Sequence, residues 1–598
     1  MPLFIMKSDE TNEAQNESII MNTDTHKAIL HTALTTGQKN SPAVKPEFDR
    51  NISYMTADLE PWFNNVPSRL AELAKMIPNA IAVSDPHETL TFGELNQRIE
   101  NAAHVLRDHG VKMGGNVAIA ARRGIAWFVT MQAIWRIGAV YIPLNTMMPE
   151  KRLNDILASL PESTLVFDDT VSAGLKASTL IAVDTLLNKR GKAEIAEHID
   201  PPVLGDHSAY VMFTSGSTGL PKAVQVQHDN LAACLCGFGK LLSISQRDHM
   251  LALTTFSFDT SVLELLLTLV HGGSIHIASI DIQRDAMALS ETLSDPQFTF
   301  AQATPLTWSM ALNAGWKPRP AMSMLCGGEA LSQDLADQLT ATGGTLWNVY
   351  GSTETSIWST AFRMKKGDKV QLGGPIPGTS ITIVDKHLRP VPKGTVGEIL
   401  IGGLGVTAGY RNNPIETVKR YVPDITRKGK RAYLTGDLAR MLADGSLIYM
   451  GRLDDQVKIR GYRIGLDEIE IALRKQRGVQ DAIIRVTGSG DFAKIQAFVL
   501  FDPNLIVPED WVRETQLSLR EALHEAWIPG EYYRIPYIPQ TSRGKRDQKR
   551  LENVAERLNA SYDHEHDIVQ PRNETEKRVY EIWHGLLGKS DPLPNHYG

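Results

Sequence analysis

The chain has 598 residues and a mass of 66.1 kDa, with 42% hydrophobic and 22% charged residues, which excludes a mainly disordered or fibrous protein and is too long for one small domain. Its 62 basic and 68 acidic residues leave a net charge of -6, which supplies no broad attractive field for nucleic acid or an anionic membrane. Three cysteines, Cys234, Cys236 and Cys326, cannot staple a chain of this length and form an incomplete zinc set, so reduced, buried thiols are expected.

Residues 1–58 are polar and weakly patterned, and the patch Gln38-Lys-Asn-Ser-Pro-Ala-Val-Lys-Pro46 marks a leader or linker. The first residues lack the apolar core of a signal peptide, so a cytoplasmic protein is expected. Strand-like segments at 80–83, 117–120, 208–213, 274–278 and 298–301 then alternate with helical patterns at 95–106, 127–137 and 229–238. This switching of period predicts an α/β protein with largely buried strands. The richest apolar run, Val262-Leu-Glu-Leu-Leu-Leu-Thr-Leu-Val270, is short and interrupted, below the ~18 to 20 residues that span a bilayer. Near residue 375 the pattern changes to short strands, 381–384 and 397–402, divided by Gly and Pro turns and predicting a small β-rich unit. A strand at 457–460, a helix at 467–475 and strands at 481–486 and 495–501 predict a compact α+β lobe. A last helical pattern at 575–587 follows the linker-like Asp567-Ile-Val-Gln-Pro-Arg572.

The run Thr214-Ser-Gly-Ser-Thr-Gly-Leu-Pro-Lys222 lies between a strand and a helix. Its glycines permit tight turns, its hydroxyls and backbone N–H groups can hold phosphate oxygens, and Lys222 adds positive charge. It has neither the P-loop nor the Rossmann spacing. The run resembles the phosphate-binding loop of the adenylate-forming superfamily, which includes acyl-CoA synthetases, luciferases and nonribosomal peptide synthetase adenylation domains. Further stretches match the peptide synthetase branch in order: Leu90-Thr-Phe-Gly-Glu-Leu95, Gly138-Ala-Val-Tyr-Ile-Pro-Leu144, Phe258-Asp-Thr-Ser261, Asn348-Val-Tyr-Gly-Ser-Thr-Glu354, Gly397-Glu-Ile-Leu-Ile-Gly-Gly403, Tyr433-Leu-Thr-Gly-Asp-Leu438, Gly451-Arg-Leu-Asp-Asp-Gln-Val-Lys-Ile-Arg-Gly461 and Thr541-Ser-Arg-Gly-Lys-Arg-Asp547. The resemblance covers about residues 60 to 551. Three positions depart from the common pattern, Ala223, Ser352 and Asp467, and none removes an expected phosphate or substrate contact.

The resemblance implies a large adenylation lobe at 59–453 with sheets, helices and a β-rich unit, and a mobile α+β lobe at 454–556. It implies activation of a carboxylate by attack on the α-phosphate of ATP, with Mg²⁺ and loss of pyrophosphate, followed by transfer to a thiol. By the same resemblance, Thr214, Ser215, Gly216, Ser217, Thr218, Gly219, Lys222, Gly328, Asn348, Gly351, Ser352 and Lys458 belong to the nucleotide site. Thr353 donates to the α-phosphate, Glu354 holds Mg²⁺, Tyr350 stacks on adenine and Asp437 accepts from the ribose hydroxyls. Arg452 approaches ribose and phosphates, Asp454 is the hinge, and Gly461, Tyr462 and Arg463 face the thiol entrance once the small lobe has turned. Lys545 bridges the substrate carboxylate and the α-phosphate, where it offsets the repulsion of like charges.

Asp259 stands where the peptide synthetase branch grips the substrate ammonium; capping the helix that follows is the alternative reading. The other pocket positions are Thr260, Leu263, Gln302, Leu325, Gly327, Val349, Ile357 and Trp358, completed by Lys545. Trp358 and Gln302 fill volume that a large side chain would need, which favours glycine, then alanine. Residues 557–570 read as a linker and 571–598 resemble the truncated start of a peptidyl carrier domain, whose phosphopantetheine thiol is the expected acceptor. Expected partners are a small amino acid, that downstream carrier domain, other synthetase modules and a small MbtH-like activator protein. A free-standing acyl-CoA or aryl-acid ligase, or a noncatalytic scaffold of the same fold, are the competing readings.

Overall fold

The computed structural model describes residues 52–171, 174–188, 203–214, 221–453, 456–459, 462–487, 494–502, 506–539, 550–558 and 577–578. Two sheets carry parallel strands. In the first, Ser208–Thr214, Val140–Pro143, Asn116–Ala120, Thr164–Phe167 and Thr179–Ala182 run parallel in that order, with Lys222–Gln227 and Gly409–Tyr410 antiparallel at one edge. In the second, Thr345–Tyr350, Ser323–Cys326, Phe300–Ala303, His249–Ala252, Ser274–Ile277 and Ile81–Ser84 are parallel neighbours. Five of these eleven parallel strands, Ile81–Ser84, Asn116–Ala120, Ser208–Thr214, Ser274–Ile277 and Phe300–Ala303, answer to the apolar segments read from sequence, and residues such as Ile119, Tyr210, Leu251 and Ala301 are fully buried, as strands covered on both faces must be. The strand expected at 298–301 begins two residues later, because Phe298 still closes a turn on the carbonyl of Asp295.

Local chemistry fixes the helices between them. Thr91 and Glu94, within one of the sequence motifs, form a reciprocal capping box that starts the helix Phe92–Asp108. The apolar run at 262–270 becomes the helix Thr260–Leu266 and a short 3₁₀ turn, Leu269–His271, buried against both sheets. All three cysteines are buried and free, and burial pushes the Cys234 thiol up to about 12, so it is an inert core group.

The expected β-rich unit is an antiparallel sheet of Thr379–Val384, Val396–Gly403, Arg431–Met441, Tyr421–Pro423 and Leu447–Arg452. Its other edge is Tyr54–Thr56, which pairs with Thr379–Val384. This corrects the leader boundary, since residues read as leader contribute a strand to the large lobe; three residues are too few to show an alternating pattern. The smaller unit packs the helices Leu466–Arg474 and Trp511–Arg520 on a sheet of Val479–Thr487, Lys494–Phe501, Glu531–Ile535 and Glu556–Leu558. No helix among the described residues is long and apolar enough to cross a membrane.

Candidate active site

A cavity of about 350 Å³ opens at the carboxyl ends of the parallel strands of both sheets, where open α/β folds place ligands. Its walls come from Pro143–Asn145, Thr214, residues 253–255 and 257–260, Gln302–Thr304, Gly327–Gly328, Gly351–Thr353 and Ile357–Trp358. The antiparallel sheet adds Thr435, Asp437 and Arg452, and the smaller unit adds Trp527. Residues from six of the sequence motifs therefore meet at one place.

At one end stands Asp259. It occupies the cap position of the helix Thr260–Leu266 but makes no capping hydrogen bond, so the capping alternative fails. The wall facing this region is built from Gln302, Trp358 and Gly327. The Trp358 indole N–H donates to Gln302 Oε1 at 2.8 Å, and the Gln302 amide donates to the Thr260 carbonyl at 3.0 Å and to Glu264 at 2.9 Å. A methyl group on Gly327 would lie 2.6 Å from the Val349 carbonyl and 2.7 Å from Trp358 Cη2, so the indole rim closes on the backbone there. Thr260 and Ile357 also line the cavity, whereas Leu263, Leu325 and Val349 are buried in the core and do not. For those three the sequence reading placed core residues in the wall, because an apolar core position and an apolar pocket position look alike in sequence.

The other end is polar. Asp437 accepts from the Tyr350 hydroxyl at 2.6 Å and pairs with Arg452 at 2.6 Å, while Arg452 also donates to the Thr435 carbonyl. Burial and the adjacent Asp437 push the Tyr350 phenol well above its ordinary range, so it stays a donor. Tyr350 itself does not line the cavity; its hydroxyl aims Asp437. Gly351, Ser352, Thr353 and Gly328 line the cavity, and Asn348 instead pins its strand to the Gln371 carbonyl. Lys222, expected at phosphate, pairs with Glu416 at 2.9 Å and lies over the Tyr410 ring. Burial raises the Glu416 carboxyl, but Lys419 and Lys222 outweigh it and hold it at about 2.

Mg²⁺ would need hard oxygens facing the phosphates. Glu354 is only 1% exposed, accepts the Tyr410 hydroxyl at 2.8 Å and does not line the cavity. Among the described residues no cluster of three metal-ligating side chains occurs. The carboxylate as placed does not fit the ion, and no chemical step is derived through it.

Several expected site residues lie outside the described residues: Ser215, Gly216, Ser217, Thr218, Gly219, Asp454, Gly461 and Lys545, together with the carrier-like segment apart from two residues. Lys458 falls in the strand Gln456–Ile459, and Tyr462 and Arg463 in its hairpin partner Tyr462–Gly465, with their side chains outside the description.

Sequence reasoning missed two arrangements. One is the polar group behind Gln302, taken up below. The other joins the two units: Arg152 forms a buried ion pair with Glu468, and its guanidinium lies 5.0 Å from the centre of the Trp527 ring. Removing one partner of a buried pair strands the other charge, commonly at ~3 to 5 kcal/mol. Arg152→Ala should therefore loosen the smaller unit from the large lobe, seen as faster proteolytic cleavage between them and a larger radius in solution scattering.

The family model of the AMP-binding enzymes matches residues 70–411, more than half of the chain. The chain belongs to the AMP-binding enzyme family. Its relatives include malpibaldin synthetase of Mortierella alpina, 35% identical over 525 residues covering 85% of this chain and 9% of that protein. A dimodular nonribosomal peptide synthase of Bacillus subtilis is 33% identical over 488 residues, covering 80% of this chain and 20% of that protein. The chain thus spans a small part of these curated relatives. Among solved structures, a four-domain nonribosomal peptide synthetase in holo form bound to AMP and glycine is 30% identical, with a TM-score of 0.64 over 91% of this chain and 40% of that one. A further synthetase protein containing adenylation and carrier domains shares the fold, with a TM-score of 0.71 at 23% identity over 88% of this chain and 87% of that one.

Proposed function

We propose that this ligase activates a small amino acid, glycine ahead of alanine, and hands it to a carrier-domain thiol in nonribosomal peptide assembly. The observation that carries the reading is a carboxylate, Asp259, in a cavity whose wall is closed by the Trp358 indole against Gly327. A carboxylate suits a substrate ammonium; a fatty or aryl acid offers it nothing to bind. The relative bound to AMP and glycine supports the choice of substrate.

In the first half-reaction a carboxylate oxygen of the amino acid attacks the α-phosphorus of ATP, and the bond to the bridging oxygen breaks to release pyrophosphate. Negative charge gathers on the α-phosphoryl oxygens, so donors and cations at that point control the rate. Thr353 and Arg452, both of which line the cavity, are proposed to serve there, Asp437 to hold the ribose, and Lys545 to be the cation shared by carboxylate and phosphate. In the second half-reaction a phosphopantetheine thiolate attacks the acyl carbon and AMP leaves. A downstream carrier domain, other synthetase modules and an MbtH-like activator are the proposed partners.

Trapping with hydroxylamine separates the readings. With ATP present, hydroxamate should form with amino acids and with no fatty or aryl acid. Hydroxamate from the latter alone would establish a free-standing acyl or aryl ligase, and none from any acid would establish a scaffold.

A further inference from the structure

We propose that Glu264, held in place with Arg123, is a positioning residue that sets the size of the amino acid pocket by orienting Gln302 and, through it, Trp358. The inference rests on the small-amino-acid reading of that pocket.

Glu264 is fully buried and is the charge that interrupts the apolar run at 262–270. Buried carboxylates persist only when their lone pairs are satisfied. Here one oxygen accepts the backbone N–H groups of Leu253 at 2.7 Å and Thr254 at 2.8 Å; the other accepts the Thr254 hydroxyl and the Gln302 amide. Arg123 grips the same segment from its carbonyl side, donating to Ala252, Thr254 and Ala278. Burial raises the Glu264 carboxyl, and Thr254, Arg123 and Gln302 oppose that shift. Burial likewise lowers Arg123 to about 10, with Glu264 acting against it. The segment clamped between these two charges, residues 253–255, lines the cavity.

The consequence for the pocket is one of donor and acceptor order. Glu264 and the Thr260 carbonyl are both acceptors, so the Gln302 NH₂ must face them and its oxygen must face Trp358. The indole N–H then has one fixed acceptor, and the ring is held against Gly327. A carboxylate 0% exposed and behind the wall thereby decides where the wall stands.

Glu264→Gln keeps the shape and reverses the order. The introduced amide must keep its oxygen on the two backbone N–H groups, which turns its NH₂ toward the Gln302 NH₂. If Gln302 flips to relieve that clash, its NH₂ meets the Trp358 N–H. One link breaks in either case: the tie from residue 264 to Gln302 if the amide stays, which loosens the orientation of Gln302, or the tie from Gln302 to the indole if it flips.

The test uses the full chain and the ratio of kcat/KM for glycine to that for alanine, measured by pyrophosphate exchange. E264Q should lower this ratio about tenfold, the scale of discrimination a methyl group offers once its steric barrier is removed. W358F, which loses both the N–H and the indole rim that closes on Gly327, should lower it at least as far, and the double variant should fall no further than the stronger single one. A purely structural role predicts equal loss for both amino acids and an unchanged ratio, which would overturn the proposal, as would multiplying effects in the double variant. W358F decides the matter even where E264Q does not fold, since an unchanged ratio there removes the last link. The glycine reading fails separately, if the wild-type chain prefers a large amino acid; an unchanged ratio in a glycine-preferring chain defeats only the relay.

Discussion

Asp259→Asn should reduce kcat/KM for the amino acid by about a hundredfold or more, with the loss mainly in the KM for the amino acid and little change in the KM for ATP. The substitution keeps the size of the side chain and removes its charge. A charge-assisted hydrogen bond contributes roughly 1.5 to 3 kcal/mol, and leaving an ammonium desolvated without its counter-charge adds to the penalty. At 1.36 kcal/mol per tenfold the hydrogen bond alone gives about one to two orders of magnitude, and the stranded ammonium carries the loss to about a hundredfold or more. The same substitution separates function from structure. Asp259 makes no capping hydrogen bond to its helix, so the change in KM should not arise from a lost cap. A protein that melts much earlier while keeping its KM for the amino acid would return Asp259 to a capping role. Exchange kinetics with the amino acid and ATP varied in turn, beside a thermal melt, make the distinction.

Gly351→Ala should be among the most destabilising single changes in the large lobe. A β-carbon there would lie 2.4 Å from the Ile357 carbonyl oxygen, 2.6 Å from Trp358 Cα and 2.9 Å from the Ser359 nitrogen. All three are backbone atoms, so no side chain can swing away. The approaching loop has little room to retreat, since Ser356 and Ile357 already sit at φ of 60° and 76°, in the left-handed region that non-glycine residues rarely occupy. Overpacking of this kind commonly costs ~1 to 3 kcal/mol and more when the backbone must move. Because the same loop carries Trp358 and Thr353 flanks Gly351, exchange activity should fall together with the denaturation midpoint. Chemical denaturation with a wild-type midpoint would show that the loop accommodates the methyl group.

Much of the fold was legible because the parallel strands are short, apolar and buried on both faces, and because turns between them are punctuated by Gly and Pro. The motifs and the pocket positions aligned from them marked where the chain meets itself: Asp259, Gly327, Gly351, Thr353, Trp358, Asp437 and Arg452 do line one cavity. What escaped was pairing at long range. Arg152 and Glu468 are 316 positions apart, and neither residue alone announces a partner. Lys222 and Tyr350 show the same limit of long-range pairing. Each belongs to a recognisable motif, yet here the first pairs with Glu416 and the second with Asp437, because a motif names a residue type without naming the neighbour that a third segment supplies. Glu264 did leave a signal, a single charge inside an apolar run. Such a charge must find several donors when buried, and those donors are what tie it to the pocket.

The central claim is that a small amino acid is the acid activated by this ligase. ATP–pyrophosphate exchange across the proteinogenic amino acids tests it most directly. Exchange should be strongest with glycine, weaker with alanine and close to background with aromatic and long aliphatic amino acids. Strongest exchange with a bulky amino acid would contradict it, because the reading rests on the Trp358 indole closing against Gly327 in the cavity that holds Asp259.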